Sequence, residues 1–99
     1  MKKKDILVTV AHGSEEIETV TIVNILRRAG ANVTLAKVGG KIEAGFQCKM
    51  SRGVTLVADT ELRFPKINAR TFDAIVIPGG LEGAKSMADD PTLIRMLTE

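Results

Sequence analysis

The sequence predicts an α/β protein built on a mostly parallel β-sheet. Residues 5–11 form a short, nearly continuous apolar run rich in β-branched side chains, which is typical of a strand covered on both faces. A helical segment follows to about Ala29, and residues 31–38 again have the composition of a strand. A strand, a helix and a strand in this order predict a βαβ unit with parallel strands and a right-handed crossover.

The limits of the first helix are predicted from the residue types at its ends. Ser14 is the expected N-cap, and the two glutamates that follow it suit the positive end of the helix dipole. Gly30 is the expected stop, and Arg27 and Arg28 lie in the last turn before it. Beyond the second strand, Gly39-Gly40 predicts a turn.

The middle of the chain predicts a small β-hairpin. Two β-prone segments, residues 46–50 and 54–58, flank Ser51-Arg52-Gly53. This spacing favours two short antiparallel strands joined by a turn.

The last third predicts one more buried strand and then helices. Residues 72–77 form an apolar strand that ends in Pro78-Gly79-Gly80, a helical turn is expected over 82–87, and Asp90-Pro91 predicts a helix start. The sequence stops at Glu99 inside an amphipathic helix. Three buried parallel strands leave one sheet edge and one face uncovered, so either the chain is a fragment or a second polypeptide covers the sheet.

Composition excludes several classes of function. A content of 44% hydrophobic and 26% charged residues is that of a globular protein. The 14 basic and 12 acidic side chains are scattered, and Trp and Tyr are absent, which disfavours nucleic-acid binding. No apolar run approaches the roughly 20 residues that span a bilayer, so no membrane partner is expected. The single Cys48 cannot form an intrachain disulfide, and we expect a cytoplasmic protein.

One carboxylate lies on the apolar stripe of the first helix. On a helical wheel Ile22, Ile25, Leu26 and Ala29 share a face, and Glu18 falls on the same face one turn inside the helix. A carboxyl group held there would lose hydration, which favours its neutral form and is typical of functional sites. A wide stripe with Glu18 at its rim is the alternative.

Three further features have both a functional and a structural interpretation. Gly79 and Gly80 follow a parallel strand at the edge where α/β sheets bind ligands, and their amides could face a developing anion, although a plain turn explains them equally well. His12 lies at the same edge, as a substrate contact or an exposed loop residue. Cys48 is either a small core residue or half of a dyad with His12. No metal-ligand cluster and no nucleotide fingerprint is present, so no cofactor is expected.

Taken in order, the motifs resemble a known family. They are Ala11-His-Gly-Ser-Glu-Glu-Ile-Glu-Thr19, Arg27-Arg-Ala-Gly30, Gln47-Cys48 with Ser51-Arg52-Gly53, and Asp73-Ala-Ile-Val-Ile-Pro-Gly-Gly80. Over nearly the whole chain they resemble the ThiJ/PfpI superfamily, in its Parkinson-disease-associated protein deglycase (DJ-one) branch. The resemblance implies a flavodoxin-like, three-layer α/β sandwich that forms a homodimer. It also implies that residues 1–99 are the N-terminal part of a single domain, and that a reactive cysteine lies on a strand-to-helix elbow beyond residue 99.

The resemblance also implies a catalytic set. Glu18 matches a protonated glutamate that hydrogen-bonds the reactive cysteine, and Gly79 and Gly80 match the loop that faces this cysteine as an oxyanion site. Arg28 and Arg52 match anion-binding arginines, and we place Glu15 with them as substrate- or anion-binding residues. Cys48 matches a secondary cysteine, not the nucleophile.

We therefore expect the N-terminal half of a cysteine-dependent glyoxalase or protein deglycase. Its substrates would be small 2-oxoaldehydes such as methylglyoxal, or their protein adducts, and it would need no organic cofactor or metal. The C-terminal polypeptide of the same protein would supply the nucleophile, so this chain alone should be inactive. The alternative is a redox-sensing, chaperone-like protein that oxidises the same cysteine to a sulfinate. A structural module that shares only the fold is the third interpretation.

Overall fold

A computed structural model describes residues 3–39, 45–62, 72–88 and 90–98 of the chain. The strands are β1 (Asp5–Val10), β2 (Asn32–Lys37), β3 (Gln47–Lys49), β4 (Thr55–Val57), β5 (Thr60–Glu61) and β6 (Ala74–Val76). The helices are α1 (Glu16–Arg28), α2 (Leu81–Ala88) and α3 (Pro91–Thr98). None of these helices is long and apolar enough to cross a bilayer.

The main sheet is parallel and has the strand order β5-β2-β1-β6. β1 pairs with β2 from Asp5 opposite Asn32 onward, which confirms the predicted βαβ unit. On its other side β1 pairs with β6, where Ile6 lies opposite Ala74. The chain passes from β1 to β2 on one side and later returns to β6 on the other side of β1. At such a reversal of direction a crevice is expected, here at the carboxyl ends of β1 and β6.

Two apolar clusters cover the two faces of the sheet. One contains Leu7, Ala11, Ala36, Val38, Leu62, Met87 and Leu93, and so joins the sheet to α2 and α3. The other contains Val8, Val10, Val23, Leu35, Cys48, Met50 and Ala58, and joins it to α1 and the β3–β4 hairpin. Alternate residues of β1 enter opposite clusters, which confirms the three-layer α/β arrangement and the strand buried on both faces.

The buried face of α1 differs from the predicted one. The buried residues are Glu16, Thr19 and Val23, whereas Glu18 is exposed and Ile25 is 58% exposed. The wheel was right for Ile22 and Leu26, which pack against the second apolar cluster, and wrong for Ile25. For Glu18 the structure shows the alternative, a carboxylate at the rim of the stripe. Thr19 Oγ1 donates to the Glu15 carbonyl at 2.8 Å, so a buried hydroxyl is satisfied and the helix can turn this face inward.

The N-cap of α1 is also a correction. Glu15 caps the helix by accepting a hydrogen bond from the Ile17 amide at 2.5 Å. Ser14 instead accepts one from the Ala11 amide at 3.1 Å and closes the loop before the helix. At the other end Gly30 has a φ of 94°, which confirms the predicted stop.

The remaining elements largely follow the sequence. β3 and β4 are antiparallel, and the Leu93 amide donates to Asp90 Oδ1 at 2.9 Å, which confirms the hairpin and the cap of α3. The two-residue strand β5 was not predicted, because so short a segment has no measurable periodicity. Gly40 and Glu99, named in the sequence predictions, lie outside the described residues.

A glycine allows α2 to touch the loop that follows β1. A Cβ placed on Gly83 would lie 2.7 Å from Ser14 N and 2.8 Å from Ser14 Cα, and would also collide with Ser14 Oγ. The obstructing atoms are mostly main chain and cannot move aside. Only glycine therefore permits this contact.

We expect Gly83→Ala to destabilise the protein by about 1–3 kcal/mol, the usual cost of overpacking. Replacing glycine by alanine inside a helix normally stabilises a protein by about 0.5–1 kcal/mol. The contact with Ser14 therefore reverses the sign expected for this substitution. Urea unfolding measures this difference. Lys85→Ala, on the exposed side of α2, serves as the control and should change stability by no more than about 0.5 kcal/mol. A neutral or stabilising Gly83→Ala would contradict the packing.

Cys48 is fully buried in the cluster under α1. Burial raises the pKa of its thiol, and the positive charge of Lys37 opposes this only in part. Lys37 is itself buried, with its Nζ donating to the Gly45 carbonyl at 3.2 Å. Cys48 is thus a packing residue whose thiol stays protonated at neutral pH.

Labelling of Cys48 by iodoacetamide should therefore be at least about tenfold slower in the native protein than in urea. In the native protein the thiol is protonated and the reagent cannot reach it. Peptide mass spectrometry at neutral pH measures the two rates, and the native rate should rise with pH. Equal native and denatured rates would show that Cys48 is accessible and reactive.

Candidate active site

An open cleft of about 780 Å³ lies at the carboxyl ends of β1 and β6. The residues after β1, the residues after β6 and the β3–β4 turn surround it. Its lining includes His12, Glu15, Ser51, Arg52, Gly80 and Leu81. The strand order predicts a ligand-binding crevice at this position.

The loop after β6 is pressed against the loop between β1 and α1. The Glu15 amide donates to the Gly79 carbonyl at 2.9 Å. Gly80 has a φ of 111°, and a Cβ there would lie 2.6 Å from the Gly13 carbonyl oxygen and 2.7 Å from Glu15 N. The glycine at position 80 is therefore required by the backbone, whatever its chemical role.

Glu18 reaches this cleft region although it does not face the core. A Cβ placed on Gly79 would lie 2.9 Å from Glu18 Oε2 and 3.1 Å from Oε1. The carboxylate thus lies against the main chain at Gly79, on the exposed side of α1. Among the described residues it makes no hydrogen bond or ion pair, so it can bind a further group.

Glu16 is a functional candidate that the sequence analysis missed. Its Oε1 accepts a hydrogen bond from Ser51 Oγ at 2.6 Å, and its Oε2 accepts one from the Arg52 amide at 2.9 Å. The Ser51 hydrogen bond lowers the pKa of the Glu16 carboxyl, with help from backbone amides including those of Arg52 and Val54, while desolvation opposes the shift. In the sequence Glu16 lies three residues before Thr19 and seven before Val23, a helical spacing that places all three on one face. This spacing was the signal that could have identified Glu16.

Three more hydrogen bonds tie the β3–β4 turn to the loop after β1. The Gly13 amide donates to the Lys49 carbonyl at 2.8 Å, and the Ser51 amide donates to the Ser14 carbonyl at 2.9 Å. The Lys49 amide donates to His12 Nδ1 at 3.0 Å, which places the ring proton of a neutral His12 on Nε2. The turn is consequently a fixed wall of the cleft.

The two arginines of the sequence prediction lie far apart. Arg52 is exposed at the cleft and makes no ion pair with any described residue. Arg28 lies at the opposite end of α1, about 18 Å along the helix from Glu16. There it lines a separate groove of about 510 Å³ between α1 and the hairpin. Within one chain, Arg28 does not join Glu15, Glu18 and Arg52.

Cys48 and His12 do not form a dyad. Cys48 is buried, whereas His12 is exposed and its Nδ1 is occupied by the Lys49 amide. The described residues contain no group of three histidine, cysteine or acidic side chains placed to hold a metal ion. The described groups at the cleft are carboxylates, backbone amides, His12 and Arg52.

We expect Glu16→Gln to lower stability at neutral pH, because the folded protein holds the pKa of this carboxyl below its ordinary 4.5. At pH values above the ordinary pKa, the charged carboxylate stabilises the fold. This stabilisation is lost as the pH falls through the lowered pKa. The difference in unfolding free energy between the parent protein and Glu16→Gln should thus shrink below pH 4.5. Urea unfolding across a pH series tests this, and a difference that does not change with pH would contradict it.

Comparisons with known proteins agree with this architecture. A model described as the DJ-1/PfpI family matches residues 4–99. Protein DJ-1 homolog A of Arabidopsis thaliana is 46% identical over 92 residues, which cover 93% of this chain and 22% of that protein. The Caenorhabditis elegans protein named glutathione-independent glyoxalase DJR-1.2 is 30% identical over 96 residues, covering 97% of this chain and 47% of that protein.

Solved structures show the same relationship. That of Toxoplasma gondii DJ-1, oxidized, superposes with a TM-score of 0.83 at 43% identity, covering 96% of this chain and 48% of that one. The chain spans less than half the length of each of these three proteins. The family match extends over almost the whole chain and confirms the resemblance carried by the motifs. The chain therefore belongs to the DJ-1/PfpI family.

Proposed function

We propose that the chain is the N-terminal half of a cysteine-dependent glyoxalase or protein deglycase that acts in the cytoplasm on 2-oxoaldehydes or their protein adducts. The observation that carries the proposal is the Glu18 carboxylate over Gly79, at the crevice between β1 and β6. The name of the nematode relative, a glutathione-independent glyoxalase, supports the same chemistry. The C-terminal polypeptide supplies the nucleophilic cysteine.

The proposed reaction balances without an external oxidant. The cysteine thiolate attacks the aldehyde carbon of methylglyoxal, and amides near Gly79 and Gly80 stabilise the oxyanion. A proton moves from that carbon to the neighbouring carbonyl carbon, which oxidises the first carbon to a thioester and reduces the second to an alcohol. Water then releases lactate and restores the thiol. Glu18 holds and exchanges the proton at the thiol.

The described surface supports a covering C-terminal polypeptide. Within the described residues β6 pairs only with β1, so its other edge is open. Beside it α2 and α3 form an apolar groove of about 270 Å³, lined by Ile77, Met87, Leu93, Ile94 and Leu97 among others. An open strand edge next to apolar surface is the expected seat of a continuing sheet.

A homodimer of the complete protein is supported by the outer face of α1. Ile17 is 73% exposed, Val20 48% and Ile25 58%, so the helix presents three large apolar side chains to solvent. Of these, Ile17 and Val20 are neighbours one turn apart on the helix. Exposed apolar groups that adjoin one another are typical of protein interfaces.

The first measurement is the intact mass of the purified protein, denatured and then native. A second polypeptide that stays bound under native conditions would support the proposed assembly, and the nucleophilic cysteine should be sought on it. A lone 10.6 kDa species would mean that this chain by itself carries no glyoxalase activity.

In the complete protein, Glu18→Gln should lower kcat for methylglyoxal by about 100-fold or more, the usual contribution of a positioned acid–base group. The amide keeps the size of the side chain but cannot exchange the proton. Steady-state consumption of methylglyoxal measures the loss, and the rate of cysteine alkylation should change as well.

Asp73→Asn provides the matched control. Asp73 accepts a hydrogen bond from the Asp5 amide at 2.8 Å, at the amino end of β1, so its removal should leave kcat unaltered. Unchanged kinetics in Glu18→Gln would remove Glu18 from the mechanism. If the parent protein does not consume methylglyoxal but its cysteine readily forms a sulfinate, the redox-sensing function replaces the glyoxalase.

A further inference from the structure

The turn that carries Arg52 belongs to a hairpin outside the main sheet. β3 and β4 pair with each other and form a separate two-stranded sheet. The position of the turn over the cleft is therefore set by the burial of Cys48 and Met50 in the second apolar cluster, and by contacts with the loop after β1 and the start of α1. Among the described side chains, Glu16 alone hydrogen-bonds both Ser51 and Arg52.

The charge of Arg52 is available to a ligand. Arg27, by comparison, is paired with Asp59 at 2.9 Å, far from the cleft. Arg52 makes no such pair with the described residues, and it lines the cleft together with Glu15 and Gly80. A guanidinium group in such a place is suited to bind a carboxylate or phosphate.

Glu16 itself is not placed to touch a substrate. It is 9% exposed, and each of its carboxylate oxygens already accepts a hydrogen bond from the turn. Its lowered pKa keeps it ionised, and therefore a strong acceptor, at neutral pH. Its effect on a ligand is transmitted through the main chain of Arg52.

The family resemblance already implies that Arg52 binds anions. We infer that Glu16 is the positioning residue that holds Arg52 in place, and that this subsite favours 2-oxoaldehydes carrying a carboxylate. The inference rests on the proposed function and names the substrate class of the same cleft. Such a substrate would place its aldehyde near Gly80 and its carboxylate at Arg52.

The test uses the complete protein and two substrates of similar size. 4,5-Dioxovalerate carries a carboxylate, and 2-oxopentanal has the same reactive group without the charge. Glu16→Ala should lower the ratio of their kcat/KM values about tenfold, mainly through KM for 4,5-dioxovalerate, because a hydrogen bond to a charged group is lost. Ser51→Ala, which removes only one of the two hydrogen bonds, should lower the ratio less and covers the case in which Glu16→Ala does not fold.

Three further variants separate positioning from other effects. Glu16→Gln should largely restore the ratio, since its oxygen can accept from the Arg52 amide and its NH₂ can donate to Ser51 Oγ. Arg52→Ala should lower the ratio at least as much as Glu16→Ala, and adding Glu16→Ala to it should have no further effect. Arg27→Ala, an equal loss of charge away from the cleft, should leave the ratio unaltered.

Additive effects of Glu16→Ala and Arg52→Ala, or an equal loss for both substrates, would overturn the inference. If the parent protein turns over neither substrate, the proposed function fails and the inference is decided by binding of inorganic phosphate. NMR shifts of the Arg52 and Ser51 amides should then show phosphate binding weakened about tenfold in Glu16→Ala and restored in Glu16→Gln. Equal phosphate affinity in all three proteins would overturn it.

Discussion

The architecture of the cleft depends on the close approach of two loops, one after β1 and one after β6. The Glu15 amide bonds to the Gly79 carbonyl, and Gly80 and Gly83 leave no room for a Cβ against Gly13, Ser14 and Glu15. Main chain meets main chain there, so neither loop can shift without the other. This contact brings the start of α1 to the switch point of the sheet, where its glutamates line or border the cleft.

The start of α1 shows how satisfied polar groups can set the orientation of a helix. Thr19 and Glu16 lie on the buried face, where the hydroxyl bonds to the Glu15 carbonyl and the carboxylate bonds to the β3–β4 turn. Burial of these groups is tolerated because their hydrogen bonds are made. The rotation that buries them leaves Ile25 in solvent and carries Glu18 to the rim at Gly79.

Sequence reasoning succeeded where one physical effect dominates and failed where two compete. β1 was predictable because a run of apolar, β-branched residues has one stable environment, and α3 because Asp90 and Pro91 suit a helix start. The wheel misplaced Glu18 because hydrophobicity alone cannot show that Glu16 finds partners 35 residues later at Ser51. The motif placed Glu18 near Gly79, as the structure does. The motif also grouped Arg28 with Arg52, although a helix that runs to about Ala29 already separates Arg28 from the cleft.

The three glutamates of this segment have different environments, although they lie within four positions. The Glu15 carboxylate caps the helix through the Ile17 amide, and both oxygens of Glu16 are held by the turn. Glu18 makes no hydrogen bond or ion pair with the described residues, and its carboxylate oxygens lie against the main chain at Gly79. A proton carrier must exchange its partner during a reaction, whereas a positioning group must keep its own. On this criterion Glu18 is suited to chemistry and Glu16 to holding the wall of the site.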